Sequence, residues 1–427
     1  MKVSAYAKSD VGRKREENQD AYAVNEELKL YVVADGMGGH AAGALASQLA
    51  IDVFVEDVKA AMSTIQQVGK DESSRSQITQ VLEDAVRRAG VSIYQEAQTN
   101  PDLRGMGTTL SALLITPTRG FIAHVGDSRI YLIREEEVVQ LTEDHSLLNQ
   151  LIKQGRIHPN QAKSNKYSNA ITRAVGVYPD VQVDTLDFEL ATEDAFLLCS
   201  DGLSQYFEDA AELGSTIKSH GLTIAPDVLV AMANHRGGSD NTTVILVRVS
   251  HESKKRESPE PLDVSSRVKL LQKMPLFQHL TYVEVVEILN VSESRSYATG
   301  DYVFRDQEVG EEMFVILSGK IGVYKDEVRL AKLGTGGHFG EMAIMDRGSR
   351  SADIKAERDT RVLCIHRKQL FALMRRDKEI SVKLLWCFVQ VLNRRLRSTL
   401  QDLLKATIGY QEAEGELPDW EEFSSLE

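Results

Sequence analysis

Residues 251–266 read H-E-S-K-K-R-E-S-P-E-P-L-D-V-S-S, a charged stretch with two prolines and no apolar period. This is the composition of a linker. It obliges the chain to fold as two separately cored parts, and 427 residues suffice for both. The two parts are patterned differently. Before the break, apolar runs over residues 31–34, 110–115, 121–125, 195–199 and 244–249 read as strands. Residues 41–65 and 76–97 read as helices, with a polar loop at 69–74 between them. Helices set between runs of sequential strands predict layered α and β structure. After the break, two short helical stretches lead into many short strands with glycine-containing turns over 292–366, and a long helix follows over about 378–405. That spacing predicts a small barrel or roll. The expected organisation is an α+β chain: a first domain at 1–250, a linker at 251–266, a second domain at 267–405 and an acidic tail at 406–427.

Charge and cysteine usage narrow the function classes. Lys and Arg total 50 against 63 Asp and Glu, a net charge of −13. An acidic surface disfavours nucleic-acid binding, which runs on counterions released around basic residues. No helix-turn-helix segment follows the second domain. The longest apolar run, Leu384 to Leu392, is broken by Gln390 and is too short to span a bilayer. The N-terminal M-K-V-S-A-Y-A-K-S-D has no apolar core of a signal peptide. Cys199, Cys364 and Cys387 are few, odd in number and widely spaced, so they read as reduced core residues of an intracellular protein. A cytoplasmic protein without membrane or nucleic-acid partners is expected.

Carboxylates recur where apolar strands end. L-Y-V-V-A-D-G ends on Asp35-Gly36 and A-F-L-L-C-S-D-G on Asp201-Gly202. A-H-V-G-D-S-R places Asp127 after a third strand, S-D-N-T-T-V places Asp240 before a fourth, and Asp20 lies in R-E-E-N-Q-D-A-Y. Asp-Gly alone is simply a good turn. If several such carboxylates converge, however, their repulsion requires cations. Oxygen ligands without clustered His or Cys suit Mg²⁺ or Mn²⁺ and disfavour Zn²⁺. Two such ions about 4 Å apart would activate a water for in-line attack on phosphorus. An arginine is the natural fork for a phosphate dianion, and both Arg13 and Arg15 precede Asp20. G-M-G-G-H-A-A-G lacks the Gly-Lys-Ser/Thr ending of a P-loop, so it does not argue for ATP.

The stretches V-G-R-K-R-E-E-N-Q-D, V-V-A-D-G-M-G-G-H, G-T-T-L, G-D-S-R, C-S-D-G-L and S-D-N-T-T-V, in this order, resemble the metal-dependent protein phosphatases of type 2C, bacterial branch. The resemblance implies an α-β-β-α sandwich that dephosphorylates Ser/Thr phosphoproteins, such as those of a Ser/Thr kinase pathway. By it, Asp35 would bridge two metals, and Gly36 would give its carbonyl to one. Asp201 and Asp240 would complete the other, and Asp20 would act through a bound water. Asp127 with Asp201 would hold a third, weaker metal, and Arg15 would bind the phosphate. Gln19 stands where many relatives carry Glu. Met37 replaces a His proposed as general acid in animal enzymes, leaving His40 and His124 as nearby candidates. The segment 141–176 resembles the family's flap.

G-H-F-G-E-M-A-I-M-D-R-G-S-R-S-A-D-I carries a glycine turn, a Glu and an Arg nine residues later. Exposed N–H groups in such a turn can cradle an anion that the Arg neutralises. With V-G-E-E-M-F-V-I-L-S-G-K-I-G-V-Y, this region resembles cyclic-nucleotide-binding domains, which implies an eight-stranded roll with flanking helices. By that resemblance Arg350 would pair with the cyclic phosphate of cAMP or cGMP and Glu341 would accept from the ribose 2′-hydroxyl. Gly340 and Ala343 would bring backbone close, and Ser351 would add a hydroxyl. Trp386, Phe388 and Leu392 are candidates to cap the base. The expected whole is a cyclic-nucleotide-regulated Ser/Thr phosphatase. The alternatives are a nucleotide receptor or scaffold with an inert phosphatase domain, or a phosphatase whose second domain only tethers or dimerises.

Overall fold

The computed structural model of the protein describes residues 1–67, 72–134, 137–154, 156–158, 170–191, 193–207, 209–250, 264–346 and 348–414. It divides into two units, Met1–Val264 and Ser265–Glu427. The expected linker falls almost wholly outside the described residues.

In chain order the first unit holds β1 (Lys2–Asp10), β2 (Asp20–Asn25), β3 (Leu30–Met37), α1 (His40–Ala60), α2 (Met62–Gln67), α3 (Glu72–Thr99), β4 (Gly107–Thr108), β5 (Leu110–Ile115) and β6 (Arg119–Val125). Then come β7 (Arg129–Arg134), β8 (Glu137–Gln140), α4 (Leu147–Lys153), β9 (Asp184–Glu189), β10 (Ala195–Cys199), α5 (Asp201–Ser204), α6 (Ala210–His235) and β11 (Thr242–Ser250). The strands form two sheets, ordered β1-β11-β10-β7-β8 and β2-β3-β5-β6-β9, with β4 paired to β3. The apolar runs of β3, β5, β10 and β11 are buried on both faces, as a sheet covered on both sides requires. One parity of the second sheet (Leu30, Val32, Ala34, Leu110, Ala112) packs under α1 and α3. The matching parity of the first sheet (Leu197, Cys199, Val244, Leu246) packs under α6. The remaining parities, with Tyr31, Val33, Phe196 and Leu198, are also buried. Phe188 of β9 meets Phe196 of β10 at 5.6 Å between ring centroids, joining the two sheets. The result is an α-β-β-α sandwich.

Local readings shift at element ends. The helix expected over 41–65 breaks at Ala61, between α1 and α2. Residues 72–74 of the expected loop belong to α3, and 68–71 lie outside the described residues. β1 has no apolar run because it is an edge strand, half exposed along its length, yet it pairs in continuous register with β11 from Lys2↔Ser250 to Asp10↔Thr242.

The second unit holds α7 (Val264–Gln272), α8 (Tyr282–Asn290), β12 (Ser292–Tyr297), β13 (Tyr302–Phe304), β14 (Glu312–Ser318), β15 (Lys320–Lys325), β16 (Val328–Gly334) and β17 (His338–Phe339). These lead to α9 (Met342–Asp346), β18 (Asp353–Ala356), β19 (Thr360–His366), α10 (Arg367–Arg376) and α11 (Lys378–Glu414). Its eight strands make two four-stranded sheets, β12-β19-β14-β17 and β13-β18-β15-β16, closed around Phe304, Phe314, Ile316, Phe339 and Val362. α11 runs past the expected end near 405 to Glu414, and residues 415–427 of the expected tail lie outside the described residues. No helix among the described residues is long and apolar enough to cross a membrane.

Candidate functional site

The five carboxylates of the first unit are delivered by both sheets. Asp20 and Asp35 face each other across the β2–β3 pair. Asp127 lies in the turn between β6 and β7, Asp201 opens α5 behind β10, and Asp240 lies two residues before β11. Their backbones are tied down by hydroxyls. The Asp35 N–H donates to Thr109 Oγ1 at 2.9 Å, and the Thr108 hydroxyl donates to the Asp35 carbonyl at 2.9 Å. Asp20 Oδ2 accepts from Ser200 Oγ and Thr243 Oγ1, both at 2.7 Å, linking one sheet to the other. Gly36 is required sterically: a Cβ there would collide with the Gly43 carbonyl and meet Gln19 O at 2.7 Å. Gly202 likewise leaves room for the Asn241 carbonyl.

This packing places carboxylates where they repel. Burial pushes Asp20 and Asp127 up to about 7 and Asp201 to about 6, and neighbouring carboxylates add to each rise. Asp35 is pushed well above the usual carboxylate range, first by burial and then by the charges of Asp20, Asp201, Asp127 and Asp240. Asp20 Oδ1, Asp127 Oδ1 and Asp201 Oδ1 are buried without a hydrogen-bond partner. Unpartnered buried oxygens amid crowded negative charge, in an all-oxygen donor set, fit hard divalent cations. The oxygens are spread more widely than one ion's ligand shell. Among the described residues, the group whose ligand atoms fall within 4.8 Å of one another is instead Glu293, Cys364 and His366 of the second unit. There Arg295 Nε lies 2.6 Å from Glu293 Oε1, so a guanidinium already neutralises that cluster.

Of the two arginines left open by sequence, Arg15 reaches the cluster: its Nη2 lies 2.7 Å from Asp240 Oδ2, and its side chain is 52% exposed. Its charge is also felt by Asp201. The Arg13 N–H instead closes a loop onto Gly238 O at 2.7 Å. Among the candidate acids, His124 is structural. It is buried, with Nδ1 2.9 Å from Ser111 Oγ and Nε2 2.9 Å from the Glu143 carbonyl. Burial holds its pKa down at about 4. The His40 side chain lies outside the described residues.

Three positioning residues were not singled out in the sequence. Asn241 Nδ2 donates to the Val11 and Glu17 carbonyls at 2.9 Å each, and its Oδ1 accepts from the Gln19 N–H at 2.8 Å. It thereby clamps the loop that carries Arg15. Thr243 orients Asp20. His145, from the flap-like segment, grips Gly126 next to Asp127: its N–H donates to Gly126 O at 2.7 Å and its Nδ1 accepts from Gly126 N at 3.0 Å. The available signal was their polarity, since each is buried beside an apolar strand.

In the second unit a cavity of ≈ 290 Å³ is lined by Phe304, Gly340, Glu341, Ala343, Arg350 and Ser351, among others. All five sequence candidates therefore converge. Arg350 is 4% exposed. Its Nη1 donates to the Glu312 carbonyl at 2.8 Å, its guanidinium lies 4.0 Å over the Phe304 ring, and its Nε has no hydrogen-bond partner. Burial lowers its pKa. Gly340, at φ +76°, leaves space that a Cβ would close to 2.8 Å from Arg350 Nη1. A buried arginine with an unused donor, beside a positive-φ glycine, suits a bound anion. The proposed base caps do not line this cavity: Phe388 is buried in its unit, while Trp386 and Leu392 are exposed.

Comparison with known proteins agrees with this division. Residues 12–226 match the family model of protein phosphatase 2C, and residues 294–377 match that of the cyclic nucleotide-binding domain. The chain is 36% identical over 260 residues to the Serine/threonine phosphatase stp of Listeria innocua, covering 60% of this chain and 100% of that protein. It is 38% identical over 248 residues to Protein phosphatase PhpP of Streptococcus pneumoniae, covering 57% and 96%. Among solved structures, the catalytic domain of the serine threonine protein phosphatase PstP in complex with two manganese ions superposes with a TM-score of 0.51 at 34% identity, covering 58% of this chain and 99% of that one.

Proposed function

Because the chain belongs to the protein phosphatase 2C family, whose Ser/Thr phosphatases it resembles over its whole first unit, we propose that it is a Mg²⁺- or Mn²⁺-dependent phosphoprotein phosphatase controlled by cAMP or cGMP at its second domain. The observation that carries this reading is the set of unpartnered carboxylate oxygens on Asp20, Asp127 and Asp201 around Asp35, with Arg15 at the rim. Asp35, the Gly36 carbonyl, Asp201 and Asp240 would hold two ions, and Asp127 with Asp201 a third. When bound, such ions supply Lewis acidity for water attack on phosphorus and offset charge at the phosphoryl oxygens. Arg15 exchanges its Asp240 partner for the substrate's phosphate dianion and orients it. Asp20, fixed through Oδ2 by Ser200 and Thr243, keeps Oδ1 free to orient water. Met37 has no proton to give, so the leaving group is protonated from solvent.

In the second domain, Arg350 takes the cyclic phosphate, Glu341 the ribose hydroxyl, and Gly340, Ala343 and Ser351 line the phosphate turn. Control requires the nucleotide to bind two states of the chain with different affinity. Three unpaired, buried cysteines suit a cytoplasmic location. The test is Mn²⁺-dependent hydrolysis of a phosphothreonine peptide by the full chain, with and without saturating cAMP or cGMP. A metal-dependent rate that changes with one nucleotide supports both parts. A rate indifferent to both nucleotides removes the regulatory part, and no rate under any condition removes the enzyme.

A further inference from the structure

Residues 13–15 read R-K-R, three consecutive cations on an exposed loop of a chain whose net charge is −13. Arg15 pairs with Asp240. Among the described residues, neither Arg13 nor Lys14 forms an ion pair. Their loop is nevertheless held firmly. Asn241 Nδ2 grips the Val11 and Glu17 carbonyls, one on either side of the trio, at 2.9 Å each. Gly12, at φ +85°, lies so close to the 238–240 segment that a Cβ would collide with the Asp240 carbonyl. The Arg13 N–H donates to Gly238 O at 2.7 Å, and the Arg13 stem covers Gly238, where a Cβ would come within 2.7 Å of Arg13 Cγ. Asp10 does not take up this guanidinium. Its pKa is lowered first by hydrogen bonds from Asn234 Nδ2 and the Gly12 N–H, both 2.9 Å from its Oδ1, and the Arg13 charge is a later contributor.

We propose that Arg13 and Lys14 form an anion subsite that selects substrates carrying negative charge, an acidic side chain or a second phosphate, close to the phosphorylated residue. This rests on the phosphatase reading of the first unit. Arg13 and Arg15 lie against one short segment, Arg13 at Gly238 and Arg15 at Asp240. Residues two apart along a chain are at most about 7 Å apart. An extended peptide has the same spacing. With its phosphate at Arg15, a side chain one to three residues away comes level with Arg13 and Lys14. A guanidinium offers a carboxylate or a phosphate a two-pronged fork, and an ammonium adds a point charge. The loop is set before substrate arrives, so little ordering is lost on binding. Glu16 and Glu17, also exposed, follow Arg15 in the chain. The loop is therefore polarised, cationic before the phosphate-binding arginine and anionic after it, and one flank of the phosphorylated residue gains rather than both.

The test compares kcat/KM of the full chain with Mn²⁺ on phosphothreonine peptides of four kinds. Their flanks are neutral, carry two Glu before the phosphothreonine, carry two Glu after it, or carry a second phosphothreonine. One acidic flank should raise kcat/KM about fivefold over the neutral peptide at low salt, the size of two exposed ion pairs. A second phosphate should raise it further, because its charge is nearly twice that of a carboxylate. A gain from the second phosphate alone identifies phosphate as the ligand, and a gain from both identifies negative charge in general. The double variant Arg13→Gln/Lys14→Gln, which keeps both stems, should bring these ratios to within about twofold of one. Should that variant misfold, salt decides: the preference should fade by about 0.5 M NaCl, where screening acts within roughly 4 Å. An active enzyme that treats all four peptides alike overturns this inference and leaves the phosphatase reading standing. A preference unmoved by the two substitutions, or by salt, overturns it as well. A chain inert on every peptide overturns the phosphatase reading and this inference with it.

Discussion

Arg15 and Asp240 form an ion pair, Nη2 to Oδ2 2.7 Å, that joins the candidate phosphate-binding arginine to a candidate metal ligand 225 residues away in sequence. The pair is half exposed on the arginine side, so it holds the guanidinium in place without sealing it. A phosphate dianion arriving beside Asp240 competes for the same donors. Substitution Arg15→Ala should therefore raise KM for a phosphopeptide more than it lowers kcat. The lost charge-assisted hydrogen bonds are worth about 1.5–3 kcal/mol, roughly 10- to 150-fold in kcat/KM. Arg15→Lys should recover part of this, because an ammonium keeps the charge but not the fork. Steady-state kinetics with one phosphothreonine peptide checks it. Equal kcat/KM for wild type and Arg15→Ala would remove Arg15 from the site.

Asp35 sits amid the other carboxylates, and its effects on stability and activity should have opposite signs. Asp35→Asn removes a buried charge whose repulsion destabilises the metal-free fold. In EDTA its Tm should exceed that of wild type by about 2–4 °C, as ~1 kcal/mol gives for a unit of this size. With Mn²⁺ present, the wild type should gain stability by mass action and the variant should gain little. Activity of the variant should fall more than about a hundredfold. Paired melting curves with and without Mn²⁺ read both effects. A variant stabilised by Mn²⁺ as strongly as wild type would contradict the ligand assignment.

His124 should make the first unit acid-sensitive. Its folded pKa is lowered from 6.5 to about 4, first by burial and then by the His145 ring 4.8 Å away. The Glu143 carbonyl and the charges of Asp184 and Asp144 oppose that shift without reversing it. Because the unfolded chain takes up the proton first, this contribution is complete above about pH 6.5 and is lost as pH falls towards 4. Its full size is on the order of 3 kcal/mol. His124→Gln should be less stable at pH 7, by about 1–2 kcal/mol for its altered hydrogen bonds, but should show a flatter decline between pH 6.5 and 4. Urea unfolding at a series of pH values measures the slope. Parallel slopes for the two proteins would exclude His124 as the titrating group.

Arg350 should carry nucleotide binding and no phosphatase chemistry. Arg350→Gln should weaken binding of cAMP or cGMP by at least about 10- to 100-fold in calorimetry, the value of a buried charge-assisted pair. It should leave the Mn²⁺-dependent rate without nucleotide unchanged and abolish any nucleotide effect on that rate. Gly340→Ala should weaken binding too, since its φ of +76° resists a side chain and its Cβ would crowd Arg350. Undiminished affinity in Arg350→Gln would place the nucleotide elsewhere.

How much of this was legible in the sequence differs residue by residue. Strands β5 and β10 were delimited by their apolar runs, because a strand buried on both faces is apolar at nearly every position; in β5 the exception, Ser111, is satisfied by hydrogen bonds to His124 and the Ser128 carbonyl. β1 was invisible: an edge strand with one wet face can be written K-V-S-A-Y-A-K-S-D, and only its pairing with β11 makes it a strand. Asp35, Asp127, Asp201 and Asp240 were legible because each lies within two residues of the end of an apolar strand, at the rim of a sheet. Asn241 and His145 were not, since a polar residue's partners depend on which distant carbonyl or N–H the fold brings within 3 Å.

Chemistry written into local patterns was thus settled by the amino-acid order: two cores separated by a polar break, carboxylates at strand ends, and a Glu and an Arg flanking a glycine turn. The tertiary structure decided what depends on long-range proximity. It brought Arg15, the arginine the resemblance pointed to, to within 2.7 Å of Asp240, a contact that residue spacing alone did not show, and it tied up both ring nitrogens of the buried His124 in hydrogen bonds. It also turned one apolar face of α11 inward and left the other in water. The physical reason is common to all three. Residue type fixes which interactions are possible, but burial and partner distance fix which are realised, and both are properties of the packed chain.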